Sequence, residues 1–157
     1  MDFEFKTVIY QSLDQVFDFF KDIDQYAGRK VSLVPIYEKI TPGPVGVGTR
    51  YYEVVRLLPC VYGKVLTEVI VYEPNHRLAY RFVAMGMDGE LTYWFDPVDG
   101  GTQVVQQQSL KPQGLLKLFS PLIAATFSRM AGKRLVVIKG ILENDATNRP
   151  ELSQSGV

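Results

Sequence analysis

The sequence contains a single cysteine, Cys60, a single histidine, His76, and no excess of either charge. One histidine and one cysteine cannot together build a His/Cys zinc site, an iron–sulfur site or a disulfide framework. Seventeen basic residues balance seventeen acidic ones, so the chain lacks the net positive charge on which general nucleic-acid binding depends. We therefore expect no cofactor, no metal site and no nucleic-acid partner.

Long hydrophobic runs are also missing. Residues 1–10 contain acidic side chains and no apolar run of about seven residues, which excludes a secretory signal. The most apolar region, residues 115–128, is interrupted by Lys117 and Pro121 and falls short of the ~20 apolar residues that span a bilayer. These features predict a cytoplasmic protein with no integral membrane segment.

What the chain has in quantity is aromatic side chains. Its 157 residues are 46% hydrophobic and 12% aromatic, and a chain of this length buries roughly 70% of its unfolded surface, enough for one core. Residues 144–157 are polar and contain no aromatic residue, which is typical of a flexible tail. The sequence therefore predicts a single domain over residues 1–143.

The pattern begins with a strand and two short helices. Residues 3–10 alternate apolar and polar side chains, as a half-buried strand does. Ser12 and Gln15 have capping-box spacing, and the helix they open has one apolar face. A second short helical segment is predicted at residues 22–26, ended by Gly28.

Residues 31–110 show no helical period and read as strands joined by turns rich in proline and glycine, which predicts a continuous antiparallel sheet. Turns are expected at residues 85–89 and, as the clearest hairpin loop, at 96–101. The predicted strands cover residues 31–40, 49–58, 64–72, 77–84, 90–95 and 102–110.

After Pro112 the apolar residues recur at helical spacing, which predicts a helix from Leu115 to Glu143. Pro121 predicts a break near residues 119–120, with Ser120 as a new N-cap. The expected apolar face of this helix comprises Leu115, Leu118, Phe119, Leu122, Ile123, Thr126, Phe127, Met130, Arg134, Val137, Ile138, Ile141 and Leu142. A sheet curled around this helix would bury the apolar faces of both, giving an α+β fold.

Five segments in this order resemble the polyketide cyclase/dehydrase and lipid-transport superfamily, the START-like or SRPBCC group, in its bacterial cyclase/dehydrase-like branch. They are residues 12–17, 45–51, 73–81, 96–102 and 115–142. The resemblance implies a helix-grip fold: a curved antiparallel sheet of about seven strands around a long C-terminal helix, with two short helices after the first strand. It implies no single function, because the family includes cyclases, lipid carriers, hormone receptors and allergens.

Alternation along the strands predicts which side chains face the helix, if charged residues mark the outer face. Lys64 and Glu68 then turn Val65, Thr67, Val69 and Val71 inward. Glu53 as an outer residue turns Tyr52, Val54 and Arg56 inward. Glu90 and Asp96 do the same for Leu91, Tyr93 and Phe95.

Two strands leave their phase open. In residues 77–84, one phase places Arg81 inside and is favoured by superfamily geometry, whereas the opposite phase makes an apolar inner wall of Leu78, Tyr80 and Phe82 and is favoured by the pattern. Residues 102–110 cannot be phased, because three glutamines follow one another at 106–108.

Inward arginines would need partners, since buried charges are costly unless paired. Arg56 and Arg81 would meet a carboxylate, water or an acidic or carbonyl-bearing ligand; alternatively, Arg56 reaches solvent at a strand end and Arg81 pairs with a nearby acid. The predicted ligand-binding residues are Tyr52, Val54, Arg56, Thr67, Arg81, Leu91, Tyr93, Phe95, Phe127 and Met130.

The sequence thus predicts a module that binds a small hydrophobic molecule, such as a lipid, polyketide, isoprenoid or aromatic compound, in a cavity between sheet and helix. The alternatives are a polyketide cyclase or dehydratase that uses the same cavity, and an interaction subunit with a filled core. No catalytic residue is assigned, and a homodimer is left open. For residues 115–127, core packing is preferred over docking on a membrane or partner.

Overall fold

The computed structural model describes residues 1–21, 36–58, 61–84 and 86–147. The second short helix predicted at residues 22–26 lies outside these ranges, as does the first half of the strand predicted at 31–40. The described strands are β1 (Asp2–Ile9), β2 (Ile36–Lys39), β3 (Arg50–Leu58), β4 (Val61–Glu73), β5 (Arg77–Ala84), β6 (Met87–Val98) and β7 (Gly101–Pro112). The described helices are α1 (Leu13–Lys21), a 3₁₀ helix (Gly114–Phe119) and α2 (Ser120–Thr147).

The strands form one seven-stranded curved sheet in the order β1-β7-β6-β5-β4-β3-β2. Every neighbouring pair is antiparallel, and from β2 to β7 each strand pairs with the next in sequence. Frequent short turns along the chain produce this topology, because a short turn can join only antiparallel neighbours. The predicted α+β helix-grip architecture is confirmed.

The β6–β7 hairpin is longer and its turn tighter than the sequence predicted. Val98 pairs with Gly101, so only Asp99 and Gly100 form the turn. Gly100 has a φ of 78°, a left-handed conformation that a residue without a Cβ adopts without strain. At the other end β6 begins at Met87, inside the turn expected at residues 85–89.

Helix α1 closes one end of the curved sheet with aromatic side chains. The Phe17 ring lies 5.3 Å from the Phe95 ring, and the Phe20 ring lies 4.8 Å from the Tyr93 ring. Because both phenylalanines are fully buried, burial of apolar ring surface holds α1 in place, at ~25 cal/mol per Å². The apolar face predicted for this helix is its packing face.

The predicted break in the C-terminal helix is present. The 3₁₀ helix gives way to α2 at Ser120. Ser120 is not an extended N-cap, however: its backbone is helical and its hydroxyl donates to the Lys117 carbonyl at 2.7 Å. Helix α2 also runs on through residues 144–147, which the sequence assigned to the tail.

Only the second half of α2 is buried against the sheet. Its buried side chains are Ala131, Leu135, Ile138 and Ile141. Near its end, Lys139 Nζ donates to the Val8 carbonyl, and Glu143 Oε1 accepts from the Tyr10 backbone N–H at 3.0 Å. These contacts tie the second half of α2 to the end of β1, whereas residues 120–130 contain no buried side chain.

Candidate functional site

The inner face of β5 is the apolar wall that the sequence pattern favoured. Leu78, Tyr80 and Phe82 are buried, whereas Arg81 and Val83, which have the opposite phase, are exposed; the small Ala79, also of the opposite phase, is buried. Arg81 Nη2 lies 3.6 Å from Glu90 Oε1 on the outer face. The inward position proposed for Arg81 is therefore wrong, and its pairing with a nearby acid is what the structure shows.

Strand β3 has the opposite phase to the one predicted. Tyr51 and Glu53 are buried, while Tyr52 and Val54 are only half-buried. Tyr52 pairs across the sheet with Leu66 and Val54 with Lys64, and both of these β4 partners are exposed. Tyr52 and Val54 therefore lie on the outer face. The side chain of Arg56 lies outside the described part of the chain.

Glu53 was assigned outward because it is charged, yet it is an interior residue with a partner. The Thr67 hydroxyl on β4 donates to Glu53 Oε1 at 2.9 Å. Burial raises the pKa of the Glu53 carboxyl, while the Arg134 cation on α2 and the Thr67 hydrogen bond oppose that rise. Glu53 therefore holds a proton more tightly than an exposed glutamate does.

Strand β4 follows its predicted phase only as far as Val69. Thr67 and Val69 are buried as expected. A bulge then skips Ile70, so that Val71 pairs with Ala79 and not with an inward residue of β5. The bulge moves Val71 to the outer face and turns Tyr72 inward, where its ring lies 5.8 Å from that of Phe17.

Tyr93 on β6 and Gln106 on β7 face each other across the strand pair, and each is only 2% exposed. The neighbouring Gln107 points outward, where it accepts from Trp94 and donates to Glu4, which settles the phase of the three glutamines. Within the described residues, the Tyr93 hydroxyl and Gln106 Oε1 have no hydrogen-bond partner. Such orphaned buried groups are rare in folded proteins.

Tyr80 and Arg134 complete this group. The Tyr80 hydroxyl is 3.5 Å from the Phe20 carbonyl, a long contact. Burial is the main cause that raises the pKa values of Tyr80 and Tyr93, and the Arg134 cation opposes the rise for both. Arg134, which lies on the predicted apolar face of this helix, therefore acts on the interior. We call Glu53, Thr67, Tyr80, Tyr93, Gln106 and Arg134 the inner polar cluster.

The first half of α2 supplies the side of the site opposite the sheet. Phe127 and Met130 lie one helical turn before Ala131 and Arg134, on the stripe that faces the sheet, and both are half-buried. Earlier residues of the predicted apolar face are not buried: Leu115, Leu118, Phe119 and Leu122 are exposed. The expectation that they join the core is wrong.

The structure thus brings together part of the predicted ligand-binding set. Thr67, Tyr93 and Phe95 are buried on the inner face, and Leu91 packs against the core. Tyr52, Val54 and Arg81 point away from it. The sequence missed Glu53, Tyr80, Gln106 and Arg134 as site residues. Two of them had a signal: Tyr80 alternates with Leu78 and Phe82, and Arg134 lies at helical spacing on the predicted apolar face.

Residues 1–21, 36–58, 61–84 and 86–147 contain neither a cluster of metal ligands nor a helix that could cross a membrane. No group of three or more His, Cys, Asp or Glu side chains is arranged to hold a metal ion. None of the helices there is both long and apolar enough to cross a membrane.

Fold and interior together define a helix-grip protein with polar groups between sheet and C-terminal helix. Residues 2–143 match the family described as polyketide cyclase/dehydrase and lipid transport. The chain belongs to this family.

Solved structures share the fold at low sequence identity. The Zhui aromatase/cyclase from Streptomyces sp. R1128 is 16% identical with a TM-score of 0.78, covering 100% of this chain and 99% of its own. TTHA0849 from Thermus thermophilus is 18% identical with a TM-score of 0.76, covering 95% and 100%. The di-domain aromatase/cyclase StfQ of the steffimycin pathway is 12% identical with a TM-score of 0.77, covering 93% and 52%. No curated protein sequence matches the chain.

Proposed function

We propose that the protein binds a small, largely apolar molecule between the inner face of the sheet and the first half of α2. The observation that carries this proposal is the orphaned pair on β6 and β7: the Tyr93 hydroxyl and Gln106 Oε1, both buried without a partner among the described residues. Leaving a buried polar group unpaired costs about 1–3 kcal/mol. A ligand that bonds to both groups would remove that penalty.

The chemistry of the pair narrows the ligand. Gln106 Oε1 can only accept a hydrogen bond, whereas the Tyr93 hydroxyl can donate one. Directly opposite residues on antiparallel strands have Cβ atoms about 5 Å apart. A ligand hydroxyl, of an alcohol, phenol or enol, that lies between the two groups would donate to Gln106 and accept from Tyr93. We infer an apolar ligand that carries a hydroxyl group.

The half-buried side chains of α2 support the same interpretation. Phe127 and Met130 face the sheet without being buried by it, in contrast to Leu135 and Ile138 further along. Covering them with an apolar ligand would contribute ~25 cal/mol for each Å² removed from water. The family description, which includes lipid transport, and the aromatase/cyclase structures are consistent with a hydrophobic ligand of this kind.

The test measures displacement of a neutral apolar fluorophore, N-phenylnaphthylamine, by a hydroxylated aromatic compound, 1-naphthol. We expect Tyr93→Phe and Gln106→Leu each to weaken 1-naphthol by about tenfold, the value of one hydrogen bond to a buried partner. Tyr52→Phe is the matched control, because Tyr52 lies on the outer face. The proposal fails if no fluorophore binds, or if both interior variants bind 1-naphthol as the unaltered protein does.

A second function is favoured by one observation, the buried Glu53 carboxyl with its raised pKa. A buried carboxyl with a raised pKa holds its proton more tightly than an exposed one, and such a group can act as a general acid on a carbonyl, which is the chemistry of a cyclase or dehydratase. The test follows aromatic absorbance after mixing with a synthetic poly-β-keto thioester. An enzyme would accelerate the cyclisation of this thioester. Glu53→Gln would abolish the acceleration and still bind N-phenylnaphthylamine.

A further inference from the structure

The start of the C-terminal helix exposes a continuous apolar surface. Leu115 is 80% exposed, Leu118 76%, Phe119 57% and Leu122 67%. They lie on two consecutive turns, from the 3₁₀ helix into α2. We call these four residues the leucine ridge. Single exposed apolar side chains are ordinary, whereas a contiguous exposed group marks an interaction surface.

The ridge is exposed because the segment is anchored through other residues. The Gln113 backbone N–H donates to the Gly86 carbonyl at 2.9 Å, and its side chain donates to Asp88. Leu116 packs on the β5–β6 turn so closely that a Cβ on Gly86 would lie 3.4 Å from its Cδ1. With Gln113 and Leu116 holding the segment, Leu115 and Leu118 are left on the solvent side.

Charge is distributed unevenly around the ridge. No acidic residue occurs in residues 100–142, although the whole chain is electrically neutral. All seventeen acidic side chains therefore lie elsewhere in the sequence. The six basic residues of this stretch are Lys111, Lys117, Arg129, Lys133, Arg134 and Lys139.

The exposed cations lie beside the ridge and along the same helix. Lys117 lies within the 3₁₀ helix, between ridge residues, and is exposed. Arg129 and Lys133 follow Leu122 on the solvent stripe of α2, at spacings of three or four residues through Ala125. Asp88 on β6 is the cross-strand partner of Lys111 and accepts a hydrogen bond from the Gln113 side chain. The solvent side of this helix start is thus apolar and then basic.

We propose that the leucine ridge docks the protein on a membrane surface that contains anionic lipids. Leucine and phenylalanine side chains that reach the acyl boundary are stabilised there, and neighbouring lysines and arginines bind the anionic headgroups. The long stem of Lys117 lets its charge reach the headgroups while the adjacent leucines insert. The proposal of membrane docking is based on the exposure of the leucine ridge and on the charge around it, and it does not depend on the interior ligand.

The test is sedimentation of the full chain with phosphatidylcholine vesicles prepared with and without phosphatidylglycerol. We expect binding to the anionic vesicles and much less binding to neutral vesicles. Binding should also be much weaker at 1 M salt, where a Debye length of ~3 Å screens the charge attraction. Leu118→Ser and Leu122→Ser should each weaken binding about tenfold, as expected for loss of a buried leucine side chain. Lys117→Gln should weaken it about fivefold.

Val47→Ser is the matched control, because Val47 is 69% exposed, like Leu122, but precedes β3 at the opposite end of the sheet. It should bind vesicles as the unaltered protein does. Three results overturn the proposal: no sedimentation with anionic vesicles, full binding by a Leu118→Ser/Leu122→Ser double variant, or equal binding to neutral vesicles. A dimer seen by light scattering that the double variant dissociates would identify a second copy as the occupant and overturn it too.

Discussion

Tyr93 and Gln106 are direct cross-strand partners whose polar atoms are buried together and hydrogen-bonded to nothing among the described residues. Neither can turn to solvent, since each side chain is only 2% exposed. Phe20 and Phe95 pack around the Tyr93 ring and fix its direction. The fold therefore holds an unpaired acceptor and an unpaired hydroxyl on cross-strand partners of the inner face, and a ligand hydroxyl could bond to them.

The first prediction concerns the stability of the ligand-free protein. Tyr93→Phe removes an unpaired buried hydroxyl, so we expect the free energy of unfolding in urea to rise by about 1 kcal/mol. Thr67→Val removes a hydroxyl that donates to Glu53 at 2.9 Å, and should lower it by about 1–2 kcal/mol. If Tyr93→Phe destabilised the protein as Thr67→Val does, the Tyr93 hydroxyl would have a partner in the ligand-free state.

The second prediction is a pH dependence that comes from Glu53. Its pKa in the folded protein lies above the ordinary value of 4.5 because the carboxyl is buried. Between these two values the folded chain keeps a proton that the unfolded chain has released. Stability is therefore fullest below pH 4.5 and falls as the pH rises through this window, by ~1.4 kcal/mol for each unit of pKa difference.

Glu53→Gln isolates this contribution, because a glutamine oxygen still accepts from Thr67 but does not titrate. We expect the variant to gain stability relative to the unaltered protein as the pH is raised from about 5 to 8, measured by urea unfolding at each pH. Glu143→Gln is the control. The pKa of Glu143 is lowered, chiefly by the Tyr10 backbone N–H. Glu143→Gln should therefore differ in stability from the unaltered protein at neutral pH, and this difference should disappear only at acidic pH. Parallel pH profiles for Glu53→Gln and the unaltered protein would contradict the assignment.

The third prediction separates burial from charge as causes of the Glu53 shift. Burial raises its pKa, and the Arg134 cation opposes that rise. Arg134→Met keeps a long apolar stem and removes the charge, so the pH window of Glu53 should extend to higher pH. Arg134→Lys, which keeps a cation, should move it less. An unchanged window in both variants would show that Arg134 does not act on Glu53.

Glu53 also shows where sequence reasoning reached its limit. Alternation correctly gave Tyr93 and Phe95 as inward residues, because the charges beside them do lie outside. In β3 the same rule took Glu53 for an outer residue and reversed the strand. The rule that charged residues mark the outer face fails for Glu53, because its buried carboxyl has a hydrogen bond from Thr67. Its inward position is seen from the pairing register of β3 and β4 and not from composition.

The bulge in β4 is a second feature that no alternation pattern predicts. It comes within an uninterrupted apolar stretch around Ile70, where either face would accept the side chains. The order of elements, the turns and the break before Ser120 were predictable because proline, glycine and helical spacing act locally. Exposure of the leucine ridge was not, since an apolar helical stripe has the same pattern whether it packs on a sheet or faces solvent.

The last prediction tests the close packing of the inner wall at Gly89. A Cβ on Gly89 would lie 2.3 Å from Phe82 Cζ and 2.6 Å from the Ser109 backbone carbonyl. The backbone cannot yield as a flexible side chain does, so Gly89→Ala should lower the free energy of unfolding by about 2–3 kcal/mol. That corresponds to a Tm lower by roughly 5–10 °C for a domain of this size.

Gly140→Ala is its matched control, because nothing lies within 4 Å of a Cβ at that position in α2. Alanine is the better helix former by about 1 kcal/mol, so this variant should raise Tm by roughly 2–4 °C. The two variants would then change Tm in opposite directions: Gly89→Ala because a Cβ has no space there, and Gly140→Ala because a Cβ has space and favours the helix. If Gly89→Ala left the free energy of unfolding unchanged, the Phe82 ring could not lie against Gly89. The wall beside the inner polar cluster would then be open and not packed.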